Sequence, residues 1–417
     1  MKIRSVKGMN DILPGDSAKW HHLESTFRNV VGRYGFGEAR TPIVEPTALF
    51  TRSIGDATDI VEKEMYTFED KGEKSLTLRP EGTASCARAY LQHNVQGQEP
   101  VSKWFYLGPM YRRERPAKGR YRQFFQAGCE IYGDAGPYVD AELIDLITLF
   151  MGELGIGDVR VLVNSLGSGD TRVRYKEALL SYLRPKASEL SEDSQRRLER
   201  NPLRVLDSKA PQDREIAEGA PKILDYLSEE DDAHFKGLLS TLDALGTPYE
   251  VAPRLVRGLD YYTRTLFEIK GGNADLGSQD TLCGGGRYDG MIEQLGGKPT
   301  PAVGFAMGIE RLLLSMPDSK ANSNLDAFLI VGKGQETPAV KAAHVLRQSG
   351  VRVDVDLRGG SFKSQFRRAD KSGARFALVL GDSEASAGTL TVKELATGTQ
   401  ETLSLADIAA RISGATA

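Results

Sequence analysis

Apolar positions repeat with two different periods along this chain, and the changes of period mark its elements. Trp20, Leu23, Phe27, Val30, Val31 and Tyr34 recur at three- and four-residue intervals. That spacing predicts an amphipathic helix over 17–34, capped by Asp16 or Ser17 and closed by Gly35. The stretch FGEARTPIVEP (36–46) predicts a strand ended by two prolines. MYTF (65–68) and SLTLR (75–79) predict a hairpin around Lys71 and Gly72, residues 81–92 a helix, and 101–108 and 110–114 strands. Residues 120–133 alternate with period two, so Gln126, Gly128 and Glu130 share one face while Phe125, Ala127, Cys129 and Ile131 share the other. Residues 139–154 return to the helical period.

From about 170 to 246 the chain is charge-dense and helical in period, which predicts a helical insertion between strand-rich blocks. A strand over 259–270, a glycine-rich turn at CGGGRYDG (283–290) and a strand running into a helix over 301–315 follow. PDSKANSN (317–324) is a polar linker. Beyond it, strand and helix alternate, including a basic helix at 361–373. The expected fold class is α+β: an antiparallel sheet core with the insertion over 1–322, then a small α/β domain over 325–417.

Composition narrows the classes. A chain of 417 residues is longer than one core of about 250–300 residues supports, so two or three domains are expected. At 40% hydrophobic and 27% charged residues, a mostly disordered or fibrous chain is excluded. No run approaches the roughly 18 apolar residues of a membrane span. The first residues have no apolar core of a secretory signal. Cys86, Cys129 and Cys283 form neither a disulfide framework nor a zinc pair, which predicts a reducing, cytoplasmic setting and no structural metal. The net charge of -3 hides two basic runs, 112–122 and 358–375, each +5, against -13 for the rest. Two such runs, far apart on an acidic chain, suggest separated contacts with one polyanion.

The polar face of 120–131 offers Gln126 and Glu130 with a glycine between them, and Arg112 lies across a hairpin from it. An arginine fork facing a carboxylate and an amide suits an amino-acid or phosphate ligand. Arg257, in LVRGLDYYTR, and Arg311, in GIERLL, are further candidates. Strand parity sends Tyr261 and Tyr262 to opposite faces, so at most one of them is expected in any pocket. No P-loop or dinucleotide glycine spacing occurs. The five histidines, His21, His22, His93, His234 and His344, lie outside these stretches, which argues against a histidine-based triad or an HxxxH metal pair.

At these residues the chain resembles the histidyl-tRNA synthetases, a family of class II aminoacyl-tRNA synthetases. Residues 17–46 resemble class II motif 1, which implies a homodimer. FYLGPMYRRERPAKGRYRQFFQAGCEIYG (105–133) resembles motif 2 and AVGFAMGIERL (302–312) motif 3. LVRGLDYYTRTLFE (255–268) and GGGRYDG (284–290) resemble the two histidine-specific signatures, TLRPEGT (77–83) the segment around the substrate amino group, and 325–417 the anticodon-binding domain.

The resemblance implies that L-histidine and ATP, the latter with Mg2+, form histidyl-adenylate and pyrophosphate, and that the histidyl group then passes to the 3′ end of tRNA(His). It implies catalytic roles for Arg112, Arg257 and Arg311, with Arg112 on the α-phosphate and the amino-acid carboxylate. Arg311 would hold the ATP tail and adenine, and Arg257 would supply at the α-phosphate the charge that other class II enzymes take from a metal. Glu114 joins the ATP set. Glu81, Gly82, Thr83 and Gln126 would surround the α-amino group, Glu130 and Tyr262 the two imidazole nitrogens, with Tyr261 beside them and Tyr288 closing the pocket. Arg115, Lys118 and Arg120 would face the acceptor end of tRNA, and Arg367 and Arg368 the anticodon. Ala117 stands where relatives often carry a longer polar side chain. The competing expectation is a non-catalytic, histidine-sensing regulatory subunit of ATP phosphoribosyltransferase. Such paralogues typically lack the tail domain and part of the catalytic set.

Overall fold

The computed structural model describes residues 3–55, 58–199, 201–273, 280–317 and 325–413. They divide into a larger unit, mostly 20–317, and a smaller one that takes in Leu13–Lys19 and the residues beyond Pro317. The expected linker, apart from Pro317, lies outside the described residues.

The larger unit is organised on one eight-stranded sheet. Its order is Gly37–Glu38, Ser102–Tyr111, Gln123–Tyr132, Ala302–Gly308, Thr281–Arg287, Thr263–Gly271, Val159–Ser165 and Glu250–Val251. The two edge strands pair in parallel and the rest are antiparallel. Ala127, Cys129 and Ile131 enter a core with Phe27, Phe105, Phe150 and Phe305, as period two requires. The helices Pro14–Arg33, Tyr138–Glu153 and Glu229–Leu245 lay Leu23, Leu143, Phe235 and Leu238 on that core. The opposite face of the sheet is left for the site.

Three elements differ from the sequence expectation. The segment 36–46 is two strands in two sheets. Gly37–Glu38 pairs with Trp104 and Phe105, whereas Val44–Pro46 joins a separate three-stranded sheet with Ser75–Leu78 and Tyr66–Glu69. Between them Arg79 grips Thr41, Nη1 donating to its carbonyl and hydroxyl at 2.9 Å each, and Pro42 has no amide for a ladder. The glycine-rich stretch from Thr281 to Arg287 is a central strand rather than a turn. Gly284 is needed for close approach: a Cβ there would fall 2.1 Å from Arg257 Nη2. Tyr261 and Tyr262 precede the strand Thr263–Gly271, so strand parity does not separate them.

The region 170–246 is helical, running from Gly169–Leu183 to Glu229–Leu245 without a strand among the described residues. Its apolar side chains join the larger unit's cores: Leu179, Leu183 and Leu190 pack in one cluster with Tyr106, Tyr261, Tyr262 and Tyr288. The smaller unit has a five-stranded sheet in the order Val353–Val355, Ala327–Val331, Phe376–Leu380, Thr389–Glu394, Gln400–Ser404. The first three are parallel, as the strand–helix alternation predicts, and the last two form an antiparallel extension.

A buried ion pair ties the sheet to the helices. Arg287 and Asp140 are both fully buried. Arg287 Nε donates to Asp140 Oδ2 at 3.0 Å, and His234 Nε2 lies 3.0 Å from the same oxygen. Removing one partner of such a pair strands the other charge in low dielectric. Arg287→Met should therefore destabilise the larger unit by about 3–5 kcal/mol, read from its denaturant unfolding transition; an unchanged midpoint would show the pair to be neutral.

Candidate active site

The strands Gln123–Tyr132, Thr281–Arg287 and Ala302–Gly308 floor a cleft that is open at its mouth. Arg112, Arg257 and Arg311 all line it, although 199 residues of chain separate the first from the last. Glu81, Thr83, Glu114, Arg120, Gln126, Tyr261, Tyr262 and Tyr288 share its wall.

Each guanidinium is fixed by a different element. Arg112 follows the strand Ser102–Tyr111, its amide donating to Arg122 O at 2.9 Å across the hairpin. Its Nε donates to Pro80 O at 2.9 Å, and its guanidinium lies 5.1 Å from the Phe124 ring centroid. Arg257 Nη1 donates to Glu268 Oε2 at 2.7 Å, while its buried Nε has no hydrogen-bond partner. Arg311, in the helix Ile309–Ser315, donates from Nε to Gly119 O at 3.0 Å and from Nη1 to Thr281 O at 2.9 Å. Burial first, and then Arg112, Arg257 and Arg120, hold Arg311 below the ordinary guanidinium range against the pull of Glu114. For Glu268, burial is outweighed by Arg257, Thr281 and Lys270, which hold its carboxyl below the usual range. An anion entering here meets three cations, two of them held by neutral backbone oxygens.

The carboxylates and hydroxyls sit at the inner end. Glu81 takes the amides of Thr83 and Ala84 at 2.8 Å each, at the start of the helix Thr83–Gln92. Burial raises its carboxyl above the usual range despite those amides. Gly82 lies against the Tyr106 ring, where a Cβ would meet Cε2 at 2.3 Å. Gln126 Oε1 is buried with no hydrogen-bond partner. Glu130 is fully buried under Gly304, which lines the cleft; a Cβ on Gly304 would fall 1.8 Å from Glu130 Oε2. Thr83 Oγ1 donates to Glu130 Oε1 at 2.7 Å and Tyr288 donates to Oε2. Burial pushes the Glu130 carboxyl up to about 8, against those two donors and with help from Glu81.

Both tyrosines of the DYY triplet line the same cleft, with ring centroids 4.6 Å apart, which corrects the expectation that at most one would. Burial pushes the Tyr262 hydroxyl up to about 12, against the pull of Arg257, so it stays neutral.

The basic run 112–122 divides. Arg115 and Lys118 are exposed, whereas Arg120 folds into the rim, donating to the Glu114 carboxylate and, at 3.4 Å, to Glu64 Oε1. In the smaller unit Arg367 is exposed, but Arg368 bonds to the buried Asp356 and, at 2.6 Å, to Gly359 O. Sequence reasoning passed over Glu268, Glu310 and Phe124. Glu310 lines the cleft, accepts the Phe125 amide at 3.0 Å, and is pushed up to about 7 by burial. The readable signal was an acid inside the apolar strand sequence LFEIK, in register with Gly284.

Comparison with known proteins shows which family the chain is similar to. Residues 8–312 match the family model described as histidyl-tRNA synthetase, and residues 327–414 one described as anticodon binding domain. A curated relative from Sorangium cellulosum (strain So ce56), named histidine–tRNA ligase, is 54% identical over 406 residues, 97% of this chain and 95% of its own. The crystal structure of apo S. aureus histidyl-tRNA synthetase matches with a TM-score of 0.83 at 38% identity, covering 99% of this chain and 100% of that one. A structure from Bacillus halodurans C, described as an ATP phosphoribosyltransferase regulatory subunit/histidyl-tRNA synthetase, shares the fold: TM-score 0.64 at 22% identity, over 87% of this chain and 94% of that one. With its site built on these motifs and its length matched almost throughout by such relatives, the chain belongs to the histidyl-tRNA synthetase family.

Proposed function

We propose that the chain is a histidine–tRNA ligase, converting L-histidine and ATP to histidyl-adenylate and pyrophosphate and passing the histidyl group to the 3′ end of tRNA(His). The convergence of Arg112, Arg257 and Arg311 on one cleft, beside buried acceptors, carries the reading. In the first step a histidine carboxylate oxygen bonds to the α-phosphorus as the bond to the pyrophosphate oxygen breaks. Charge on the phosphoryl oxygens and in-line positioning govern that displacement. Arg112 and Arg257 supply charge at the α-phosphate, the second through its unpartnered Nε. Arg311, with Glu114 nearby, holds the rest of the nucleotide, which enters with Mg2+ as substrate.

The histidine end follows from donor and acceptor counts. An ammonium has three donors, and Glu81, Thr83 Oγ1 and the idle Gln126 Oε1 offer three acceptors, beside Gly82. The ring has a polar atom at each end, for which Tyr262 and Glu130, reached past Gly304, are the partners. Tyr261 and Tyr288 enclose it. An analogue lacking one nitrogen would leave a buried group unpaired, and such sites reject it by about 10⁴–10⁵. Arg115, Lys118 and Arg120 are proposed to meet the acceptor end of the tRNA, and Arg367 and Arg368 the anticodon, through phosphate contacts. The proposed assembly is a homodimer in the cytoplasm; no helix among the described residues is long and apolar enough to cross a membrane. The regulatory-subunit reading is less supported, since the tail and all three arginines are present. Pyrophosphate exchange against a panel of amino acids tests the function: exchange with histidine alone supports it, and exchange with none or with another amino acid refutes it.

Three results are expected. Arg257→Ala should slow histidine-dependent exchange by about 10²–10³, as for one lost transition-state donor, with little change in histidine affinity; an unchanged rate would remove its role. Glu130→Gln should weaken histidine far more than ATP. It should also flatten part of the stability profile. The unfolded carboxyl loses its proton near 4.5 and the folded one near 8. The native state therefore holds the extra proton between those values, and stability falls as pH rises through that window. Equal slopes for the variant and the natural chain would contradict this. A chain ending near Asn322 should still form adenylate but charge tRNA poorly, and undiminished charging would exclude the tail as the anticodon reader.

A further inference from the structure

The segment 252–262 carries Arg257, Tyr261 and Tyr262 into the cleft, yet contains no helix or strand. Polar backbone groups in such a segment need partners from elsewhere. Near its start, Asn164 Nδ2 donates to Pro253 O at 3.2 Å and Leu255 O at 2.9 Å. Around Arg257 the donors come from the helical insertion. Arg204 Nη2 donates to Gly258 O at 2.7 Å, Arg172 Nη1 to Tyr262 O at 3.1 Å, and Asn201 Nδ2 to Asp260 Oδ1 at 2.7 Å. Arg172 stands on the helix Gly169–Leu183, and Asn201 and Arg204 at the start of Leu203–Leu206. Arg257 lines the cleft on one side and, on the other, a small pocket shared with Arg172, Asn201 and Arg204.

The front of the segment therefore faces substrate while its back rests on three side chains of the insertion. The carbonyl held by Arg204 belongs to the residue next to Arg257, and the one held by Arg172 belongs to Tyr262. At its start the segment has backbone support, the Ala252 amide donating to Val163 O and the Leu255 amide to Ala252 O at 2.8 Å each; around Arg257 that support is sparser, the Asp260 amide reaching Ile54 O at 3.4 Å. A hydrogen bond from a charged donor is among the stronger ones, and a reacting group displaced by about 1 Å can lose 10²-fold in rate. Around Arg257, then, the polar support of the loop comes chiefly from the insertion.

We infer that Arg172, Asn201 and Arg204 are positioning residues for Arg257, so that the helical insertion is part of the adenylate-forming machinery. This rests on the role proposed above for Arg257 at the α-phosphate. None of the three touches the cleft; they act through the loop.

Histidine-dependent ATP–pyrophosphate exchange on the full chain tests this with Arg204→Met, Arg257→Ala and the double variant. Arg204→Met should lower kcat by about 10-fold, the equivalent of one charged hydrogen bond, while KM for histidine and ATP stays close to that of the natural chain. Arg204→Lys should recover part of the loss. The double variant should be no slower than Arg257→Ala alone, because both changes remove the same guanidinium's contribution. Multiplicative losses, or a natural rate for Arg204→Met, would overturn the inference. A natural rate for Arg257→Ala would instead overturn the role of Arg257 and the inference with it. If Arg204→Met does not fold, Arg172→Met in the same cycle decides by the same criteria.

Discussion

Three guanidinium groups that repel one another occupy one cleft, and the rest of the larger unit is organised to keep them there. Arg257 pairs with the Glu268 carboxylate and Arg112 lies 3.9 Å from that of Glu114, while Arg112 and Arg311 are also anchored on backbone carbonyls of Pro80, Gly119 and Thr281. Carbonyl anchoring fixes direction without cancelling charge, so the cleft keeps positive potential for an incoming polyphosphate. Preorganised charge of this kind stabilises developing negative charge without reorganisation during the reaction.

That arrangement needs room close to the sheet, and the glycines of two neighbouring strands provide it. Gly284 clears the space occupied by Arg257, and Gly304 leaves the Glu130 carboxylate directly beneath the cleft. The three arginines and the buried Glu130–Tyr288–Thr83 group can then lie over one antiparallel floor. The cost of burying these polar groups is met by mutual hydrogen bonding and by the apolar core on the far face of the same strands.

Much of this was legible from the residue pattern. The period-two strand around Gln126 and Glu130, the helices at 17–34 and 139–154 and the alternating tail all follow from side-chain periodicity, because each turns one apolar face to a core. What was not legible depends on partners distant in sequence. CGGGR has no side-chain pattern, so its strand character appears only when Phe267 and Arg257 pack against it. The break within 36–46 needs Arg79, and the shared cleft of Tyr261 and Tyr262 depends on where the neighbouring strand begins. Charge counting reached the right stretches but overstated their free surface, since Arg120 and Arg368 are drawn into ion pairs.

The central claim is that Arg112, Arg257 and Arg311 act on one ligand. Equilibrium binding of a non-hydrolysable sulfamoyl analogue of histidyl-adenylate, and of ATP, to the natural chain and to each single alanine variant tests it directly. The account predicts that every variant loses about 10-fold or more in affinity for at least one of the two ligands, as for a charged hydrogen bond, while binding of free histidine changes little for Arg311→Ala. An arginine whose removal leaves both ligands bound as tightly as before would contradict it.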